Sequence, residues 1–373
     1  MAPPELSLAA PVVVRFTAPR AVDLVGYKRD PLPRGHVRVR THFSGISAGT
    51  ELTAYRGSNP YLTKQWDPQR RLFTTDGQTF SYPVVGWGYS EVGEVVEVAV
   101  GTQPAGEPAP EGEVRPGDMV FGIWGHRSEA VLPASAVVGR QLPSELDPVT
   151  GVFARVGAIA LNAVLAANIH VGETVAVFGQ GVIGLLATRL AVLSGATVVA
   201  IDTITPRLEM AAQFGAHHVL DASSDRVAAD VRTFTGDVGA DVAIELSGAY
   251  PALHEAIRST TVGGRVIASG FYQGPGAGLN LGEEFHHNRI SIIASQIGGV
   301  PTELAGRWTS ERLHRTVMAL IADGRLDVAP LVSRIVPASQ AASAYELLDQ
   351  DPGSTLQVVL DFRDAALSEG SGR

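Results

Sequence analysis

The sequence predicts an α/β protein of two domains, in which a doubly wound parallel sheet is joined to a β-barrel-like domain. A chain of 373 residues is too long for one ordinary core. Its N-terminal part reads as short strands broken by glycine and proline, whereas from about residue 170 apolar runs alternate with helical patterns. Continuous apolar strands separated by helices are typical of a parallel sheet that is covered on both faces.

The first predicted domain is antiparallel, because its strands are short and closely spaced. Asn59–Tyr82 interrupts it, and this polar stretch is long enough to predict a lid or a binding loop. Thr102–Glu113 is rich in proline, glycine and glutamate and predicts a solvated loop. The predicted strands are Val12–Phe16, Val37–Phe43, Gly93–Val98, Met119–Ile123 and Ala130–Val131.

The second predicted domain begins near the middle of the chain and alternates strands with helices. Thr205 fits a helix N-cap before Pro206, and Gly215 fits the end of the same helix. The predicted strands are Thr174–Phe178, Thr197–Ile201, Ala240–Leu246, Arg265–Ala268 and Ser291–Ala294. The predicted helices are Val182–Leu193, Pro206–Phe214 and Pro251–Ser259.

The end of the chain is expected to return to the first domain. Helical patterns at Ser310–Asp323 and Gln340–Leu348 precede a final predicted strand at Thr355–Asp361. The predicted boundaries are residues 1–153 and 300–373 for the β-rich domain and 154–299 for the parallel-sheet domain.

Composition argues against several classes of partner. The net charge is −9, whereas nucleic acid and anionic membranes both attract a concentrated positive surface. No uninterrupted apolar run approaches the ~18 residues of a membrane span, and the first residues lack the pattern of a signal peptide. The chain has no cysteine, which excludes disulfides and thiolate zinc sites and fits a reducing compartment. We therefore expect a cytoplasmic protein that acts on a small molecule.

A G-x-G-x-x-G motif stands at Gly179–Gly184, between a predicted strand and a predicted helix. Asp202 ends the next strand, about 20 residues further on, as a dinucleotide site requires. The glycines permit a tight turn, close approach of a pyrophosphate and close packing of helix on strand, and the helix N-terminus presents free N–H groups to the phosphates. The motif predicts a Rossmann-type site, whose contacts are Gly179, Gly181, Val182, Ile183 and Gly184.

Asp202 favours NAD over NADP, because its carboxylate can accept hydrogen bonds from the ribose hydroxyls and would repel a 2′-phosphate. Arg207 could stack on adenine or, less favourably, pair with a 2′-phosphate, and a solvated arginine at a helix start is an equal alternative. Ser247, Gly270 and Ser295 follow later strands, at the edge where ligands bind such sheets. Each of these three is either a cofactor contact or an ordinary turn residue.

The order of domains and several motifs resemble the medium-chain dehydrogenase/reductase family of alcohol, sorbitol and threonine dehydrogenases. The resemblance covers nearly the whole chain and implies a GroES-like β-barrel catalytic domain beside the Rossmann domain. Ser44–Glu51 (SGISAGTE) looks like the family's first zinc-ligand loop, with Ser47 where a cysteine normally stands. Pro83–Val95 resembles the segment that carries a Gly-His-Glu motif, with Tyr89 and Ser90 in place of the histidine and the glutamate.

Arg155 falls where the family's third zinc ligand, a cysteine or glutamate, is usual. Val114–Val120 resembles the family's strand-turn motif, whereas the lobe of four cysteines that holds a structural zinc has no counterpart. Serine and tyrosine are poor neutral ligands, and an arginine would repel a metal. The sequence therefore predicts no zinc and resembles zinc-free branches of the family. Ser44–Glu51 and Phe285–Arg289 look most like members that act on sugars, cyclitols or large hydroxylated molecules.

Without zinc, a side chain must move the proton and a fixed donor or cation must hold the developing oxyanion. Tyr89 is the predicted acid/base, provided that the cation of Arg155 lowers the pKa of a phenol from its ordinary value of about 10. Ser47 and Thr50 are predicted to relay the proton or to bind the nicotinamide ribose, and Glu51 is predicted to orient Arg155. Two alternatives stay open: Arg155 and Glu51 form a structural salt bridge in an empty metal site, or Tyr89 only packs.

Three histidines are further candidates for the base. His286 and His287 lie together in one predicted loop, and His126 follows a Trp-Gly pair. A lone histidine or histidine pair is more often structural, which is the alternative for each. The tryptophans that suit either stacking against a sugar ring or simple burial are Trp66, Trp124 and Trp308.

The leading hypothesis is a zinc-free, reversible oxidation of a secondary alcohol on a polyol, sugar or cyclitol, with NAD as the hydride acceptor. One alternative is an NADPH-dependent reductase of quinones or activated C=C (enoyl) bonds, against which Asp202 argues. A second is a non-catalytic nucleotide-binding redox sensor, which would keep the glycine motif and tolerate the loss of Tyr89 and Arg155. The resemblance also implies a homodimer or homotetramer.

Overall fold

The structure, a computed structural model, describes residues 10–99, 113–224 and 226–365. The chain divides into two compact units. Unit 1 comprises the chain up to Val152, then Arg334–Gln350 and the part from Gln357 onward. Unit 2 comprises Phe153–Ser333 and Asp351–Leu356. Apart from Glu113, the predicted solvated loop lies outside the described residues.

The described residues form strands and helices that are numbered here in chain order. The first nine strands are β1 (Val12–Ala18), β2 (Ala21–Gly26), β3 (His36–Ile46), β4 (Gln65–Asp67), β5 (Leu72–Thr74), β6 (Val84–Val85), β7 (Glu91–Val98), β8 (Met119–Gly122) and β9 (Glu129–Pro133). The remaining strands are β10 (Thr174–Phe178), β11 (Thr197–Asp202), β12 (His218–Asp221), β13 (Ala240–Glu245), β14 (Thr260–Ala268), β15 (Ser291–Ala294), β16 (Val332–Pro337) and β17 (Gln357–Asp361). The α-helices are α1 (Ala48–Arg56), α2 (Phe153–Ala167), α3 (Val182–Leu193), α4 (Thr205–Gln213), α5 (Val227–Phe234), α6 (Tyr250–Ser259), α7 (Ser310–Ala322) and α8 (Ala341–Gln350).

Unit 1 is built around the long strand β3, which pairs antiparallel with β7, β9 and β17. The larger sheet has the order β16-β17-β3-β7-β8, and a smaller sheet has the order β2-β1-β6. Alternate residues of β3 and β7, such as Val37, Val39 and Val95, are fully buried, as expected of strands with one face on a core. Strands β4 and β5 form a separate hairpin inside the predicted lid.

Unit 2 is the doubly wound parallel sheet that the sequence predicts. Its six strands have the order β12-β11-β10-β13-β14-β15, and every neighbouring pair is parallel. The strand order reverses between β10 and β13, which is the switch point where ligands bind in open α/β sheets. The carboxyl ends of β10, β11 and β13 therefore define the edge at which the cofactor residues are expected.

The elements of unit 2 differ from the prediction at three places. The N-cap of α4 is Ile204, and Thr205 is already helical, so Pro206 is the second helical residue. The sequence analysis missed β12 and α5, which are short and partly polar. It also placed the return to the first domain at residue 300, whereas the structure places it at Arg334. The reason is α7, which packs on α2 so closely that a Cβ on Gly157 would lie 2.5 Å from Val317 Cγ1.

Within the part of the chain that the structure describes, one helical stretch is long and apolar enough to cross a membrane by length and composition alone. It covers Pro148–Ala167, and 72% of its most apolar window is buried inside the protein. That burial is typical of a core helix, and the α2 residues Ala160, Ala163 and Val164 are at most 4% exposed.

Candidate active site

The glycine motif forms a tight turn between β10 and α3 in unit 2. Gly179 has a φ of +87°, a conformation that L side chains rarely adopt. A Cβ on Gly184 would lie 1.8 Å from the carbonyl oxygen of Gly179, so only glycine lets the helix approach the turn. A Cβ on Gly181 would meet nothing within 4 Å, which leaves the face of the turn open. Val182 and Ile183 then open α3 and leave its N-terminal N–H groups beside that open face.

Asp202 braces this turn at the end of β11. One carboxylate oxygen accepts a hydrogen bond from Gln180 N–H at 2.6 Å, and the other accepts from Ile204 N–H at 2.9 Å. Asp202 is 9% exposed. Each carboxylate oxygen has a second lone pair, so Asp202 can still accept a hydrogen bond from a ribose hydroxyl.

Arg207 lies near Asp202 but is engaged with the chain itself. Its guanidinium donates to the carbonyl oxygen of Pro352 at 2.7 Å. Burial lowers the pKa of Arg207, and the charge of Asp202 opposes that shift. The structure thus favours neither the adenine contact nor the phosphate contact that the sequence suggested, and both remain predictions.

An apolar cavity that is open to solvent lies at the carboxyl edge of the sheet beside the glycine turn. Gly179, Asp202, Ser247 and Glu255 are among the residues that line it. The open Gly181, the free helix N-terminus and a cavity walled by apolar side chains together fit the phosphates and the adenosine of a dinucleotide. The other lining residues are Phe178, Ile201, Thr203, Ala222, Val227, Ala249, Pro251 and Ala252.

Glu245, at the end of β13, is a buried group that the sequence analysis missed. Its carboxylate accepts hydrogen bonds from Ser247 N–H at 2.7 Å, from the Ser247 hydroxyl, from Gly248 N–H at 3.2 Å and from the Tyr272 hydroxyl. Burial raises the pKa of Glu245, although these donors oppose the shift. An acidic residue at the carboxyl end of a mostly apolar, buried strand was the signal that could have found it.

Ser247 and Gly270 belong to this Glu245 arrangement. A Cβ on Gly270 would lie 2.3 Å from Gly248 N and 2.7 Å from the Glu245 carboxylate, so glycine is required by packing. Ser295 follows β15, and its hydroxyl accepts a hydrogen bond from Asn162 Nδ2 at 3.3 Å. All three residues therefore contact other residues of unit 2 at the predicted edge of the sheet. Their contact with a cofactor stays a prediction.

The hydroxyl groups of Ser47 and Tyr89 are brought together in unit 1. Ser47 precedes α1 and Tyr89 precedes β7, and their side-chain oxygens share a hydrogen bond. Tyr89 also lies within 3.4 Å of Thr50 Oγ1, to which it can donate. Two separate segments of the chain thus form one cluster of hydroxyls, and the catalytic roles predicted for these three residues stay predictions.

Glu51 lies beneath that cluster and is fully buried. Its carboxylate accepts from Ser47 N–H at 3.0 Å, from His126 Nε2 at 2.8 Å and from the Tyr345 hydroxyl at 2.6 Å. Burial, and after it the charge of Glu51, raise the pKa of Tyr345 well above its ordinary value, so this phenol is the donor. The sequence analysis predicted that Glu51 orients Arg155. Within unit 1, the Glu51 carboxylate is hydrogen-bonded to Ser47, His126 and Tyr345.

The buried network continues from His126 to Ser44 and Glu91. His126 Nδ1 lies 2.6 Å from Ser44 Oγ, and the Ser44 hydroxyl donates to Glu91 at 3.2 Å. Burial alone would lower the pKa of His126, but the charge and hydrogen bond of Glu51 and the charge of Glu91 raise it overall. Burial raises the pKa of Glu91. Serine, histidine and glutamate form a triad-like row here, but all are 0% exposed and so no substrate can reach the serine.

The remaining candidate residues come from other segments of the sequence. Arg155 is half-buried in the first turn of α2, in unit 2. His286 and His287 are exposed, with ring centroids 5.6 Å apart. Trp124 is 7% exposed, and its indole N–H donates to Thr41 Oγ1 at 2.8 Å, which indicates packing.

Comparison with known proteins gives matches along nearly the whole chain. The zinc-binding dehydrogenase family matches residues 182–311. A D-guloside 3-dehydrogenase of Escherichia coli (strain K12) is 30% identical over 355 residues, which are 93% of this chain and 98% of that protein. An (R,R)-butanediol dehydrogenase of Bacillus subtilis (strain 168) is 31% identical over 286 residues, which are 71% of this chain and 77% of that protein.

A solved structure supports the same relationship at the level of the fold. The crystal structure of 2R,3R-butanediol dehydrogenase from Bacillus subtilis superposes with a TM-score of 0.75 at 22% sequence identity. The superposition covers 94% of this chain and 99% of that chain. It confirms the predicted α/β fold class, with a parallel-sheet domain beside a second domain of mixed strands.

Proposed function

Because this chain belongs to the medium-chain dehydrogenase/reductase family, we propose that it oxidises a secondary alcohol of a sugar, polyol or cyclitol with NAD and without zinc. Membership of the family makes the protein an oxidoreductase of the alcohol dehydrogenase type. The observation that carries the finer proposal is the hydrogen bond between the Ser47 and Tyr89 hydroxyls. Two hydroxyl groups, able to hold and pass a proton, stand where the family resemblance places zinc ligands.

A sugar or glycoside is the proposed substrate class, because the D-guloside 3-dehydrogenases align over nearly the whole of this chain. Aromatic side chains within and just after the predicted lid support this substrate class. The rings of Trp66 and Phe73 lie 4.9 Å apart, as do those of Phe80 and Trp87, and Phe73 is 40% exposed. Such rings offer rigid apolar area to a ligand, and Trp87 precedes Tyr89 by only two positions.

NAD is the proposed cofactor, held by the glycine turn, the N-terminus of α3 and the apolar cavity. When bound, NAD would take the hydride from the carbinol carbon. Asp202 would accept hydrogen bonds from the ribose hydroxyls and would repel a 2′-phosphate. Glu245 would hold the Ser247-Gly248 turn rigid at the same edge.

Tyr89 is the proposed acid/base, which takes the hydroxyl proton of the substrate during oxidation and returns it during reduction. Tyr89 would act as the phenolate at the start of oxidation and as the neutral phenol after taking the proton. The Ser47 hydroxyl would donate to the phenolate and stabilise it, and Thr50 Oγ1 offers a second donor at 3.4 Å. The sequence resemblance assigns the cationic role to Arg155, which would stabilise negative charge on the substrate oxygen.

The side chains at the ligand positions do not fit a catalytic zinc. Ser47, Tyr89 and Ser90 offer neutral hydroxyls, and zinc sites use thiolate, imidazole or carboxylate. The strong ligands nearby, Glu51 and His126, are bound to one another at 2.8 Å. Among the described residues, no group of three or more His, Asp or Glu side chains could hold a metal ion. No step of the proposed reaction is therefore assigned to a metal.

Removal of metal ions is expected to leave activity unchanged. After dialysis against EDTA, kcat for the oxidation of a sugar substrate should match that of the untreated protein. Added zinc should not raise kcat, because no proposed step uses a metal. A zinc-dependent alcohol dehydrogenase treated in parallel verifies that chelation was effective. Activity that disappears with EDTA and returns with zinc would refute the metal-free proposal.

Calorimetric titration with NADH and NADPH in one buffer tests the proposed cofactor. We expect NADH to bind at least about tenfold more tightly, a difference of about 1.4 kcal/mol, because the Asp202 carboxylate disfavours a 2′-phosphate. An Asp202→Ser variant should show a smaller difference between its affinities for NADH and NADPH. Tighter binding of NADPH by the unmodified protein would contradict the role of Asp202 and favour the reductase alternative.

A further inference from the structure

The Glu51–His126 pair is fully buried beneath the hydroxyl cluster, and the proposed proton transfer does not use it. Each member is 0% exposed, and Glu51 Oε2 lies 2.8 Å from His126 Nε2. The two residues come from α1 and from the loop between β8 and β9. A buried ionised pair costs desolvation that its attraction repays only with good geometry, so its presence here calls for a role.

The glutamate end of the pair holds the backbone of Ser47. Glu51 Oε1 accepts from Ser47 N–H at 3.0 Å. This bond fixes the first turn of α1 and, with it, the point from which the Ser47 side chain extends. The Tyr345 hydroxyl fixes the carboxylate in turn by donating to Oε2 at 2.6 Å.

The histidine end of the pair lies directly against the segment that carries Tyr89. A Cβ on Gly88 would lie 2.8 Å from His126 Cε1 and Nε2, so the backbone just before Tyr89 rests on the imidazole. A Cβ on Gly125 would lie 2.0 Å from the carbonyl oxygen of Gly86, so the two segments touch at a second point. The imidazole is anchored on its other nitrogen by Ser44 Oγ at 2.6 Å.

We propose that Glu51 and His126 are positioning residues, which together set the distance between the Ser47 hydroxyl and the Tyr89 phenol. Glu51 places Ser47, His126 supports the Gly88-Tyr89 backbone, and the hydrogen bond between them joins the two halves into one rigid support. The inference rests on the proposed function, since it assigns this support to the residues that would move the proton. In this arrangement, the role of Tyr345 is to hold the Glu51 carboxylate in place through its hydrogen bond.

A matched pair of tyrosine variants tests this support. Tyr55 and Tyr345 are stacked in the same core with ring centroids 5.6 Å apart, and of these two it is Tyr345 that donates to Glu51. Tyr345→Phe is expected to lower kcat about tenfold, because it removes one hydrogen bond to a buried charge. The NADH affinity should stay unchanged, and the solvent isotope effect on kcat should increase. Tyr55→Phe should keep the kcat and the isotope effect of the unmodified protein.

Amide hydrogen exchange at Ser47, measured by NMR, gives a readout that needs no activity. We expect faster exchange of the Ser47 amide in Tyr345→Phe and in His126→Gln, and unchanged exchange in Tyr55→Phe. A Tyr345→Phe protein that matches Tyr55→Phe in exchange and in kcat would overturn the proposal, as would faster exchange with unchanged kcat. If the unmodified protein oxidises no sugar or polyol, the proposed function fails, and Ser47 exchange still decides whether the support exists.

Discussion

Replacement of Tyr89 by phenylalanine is expected to lower kcat by about 10²–10⁴-fold, the usual contribution of a positioned general acid or base. The phenyl ring keeps the packing of tyrosine and removes only the hydroxyl that is hydrogen-bonded to Ser47. NADH affinity should stay unchanged, because the glycine turn and Asp202 lie in unit 2. Steady-state kinetics with a sugar substrate and calorimetry with NADH measure the two effects.

Tyr27→Phe is the control for the loss of a phenol hydroxyl in unit 1. Tyr27 is also partly buried, and its hydroxyl donates to the carbonyl oxygen of Glu129, away from the hydroxyl cluster. This variant should retain kcat. An unchanged kcat in Tyr89→Phe would show that another group moves the proton, and Tyr89 would then serve only in packing.

The parts of the cofactor site that depend on the backbone were predictable from the sequence. A turn that needs positive φ at Gly179 and no Cβ at Gly184 restricts those positions to glycine, and the restriction is visible as a motif. The carboxylate that braces the turn, Asp202, was found for the same reason, because it stands at a fixed spacing after the motif. Its hydrogen bond to Gln180 N–H could not be foreseen, because only the fold brings them to 2.6 Å.

The support beneath the hydroxyl cluster was not predictable, because it joins residues that are distant in the chain. Tyr345 and Glu51 are separated by 294 positions, and His126 and Ser44 by 82. Tyr345 and His126 belong to none of the motifs in the sequence, and buried polar groups leave no periodic pattern. The sequence analysis considered His126 as a base and did not foresee its burial.

In the fold, long apolar elements were predictable and short polar ones were not. Strand β10 and helix α3 match their predicted bounds because both are largely buried and mostly apolar. Strand β12 lies at the edge of its sheet, with three of its four residues exposed, so it carries no apolar run. Helix α5 buries only Val227, Ala228 and Val231, which is too short a stripe to establish a period.

Two alanine substitutions in the glycine turn are expected to separate nucleotide binding from folding. Gly181→Ala should leave the melting temperature unchanged, since its Cβ meets nothing within 4 Å. The methyl group would occupy the open face where a pyrophosphate must approach, so NADH affinity should fall at least about tenfold. Thermal unfolding and calorimetric titration with NADH measure the two quantities on the same sample.

Gly184→Ala is expected to impair both properties, because its Cβ would lie 1.8 Å from the Gly179 carbonyl oxygen. Backbone atoms cannot yield as a flexible side chain does, so α3 must move away from the turn, and the melting temperature should fall by several degrees, about the effect of 1–2 kcal/mol. Gly306→Ala is the control in unit 2, since its Cβ also meets nothing within 4 Å; it should alter neither quantity. Normal NADH affinity in both motif variants would mean that the dinucleotide does not bind at this turn. The assignment of NAD to unit 2 would then fail, because the same glycines place the helix N-terminus and the cavity.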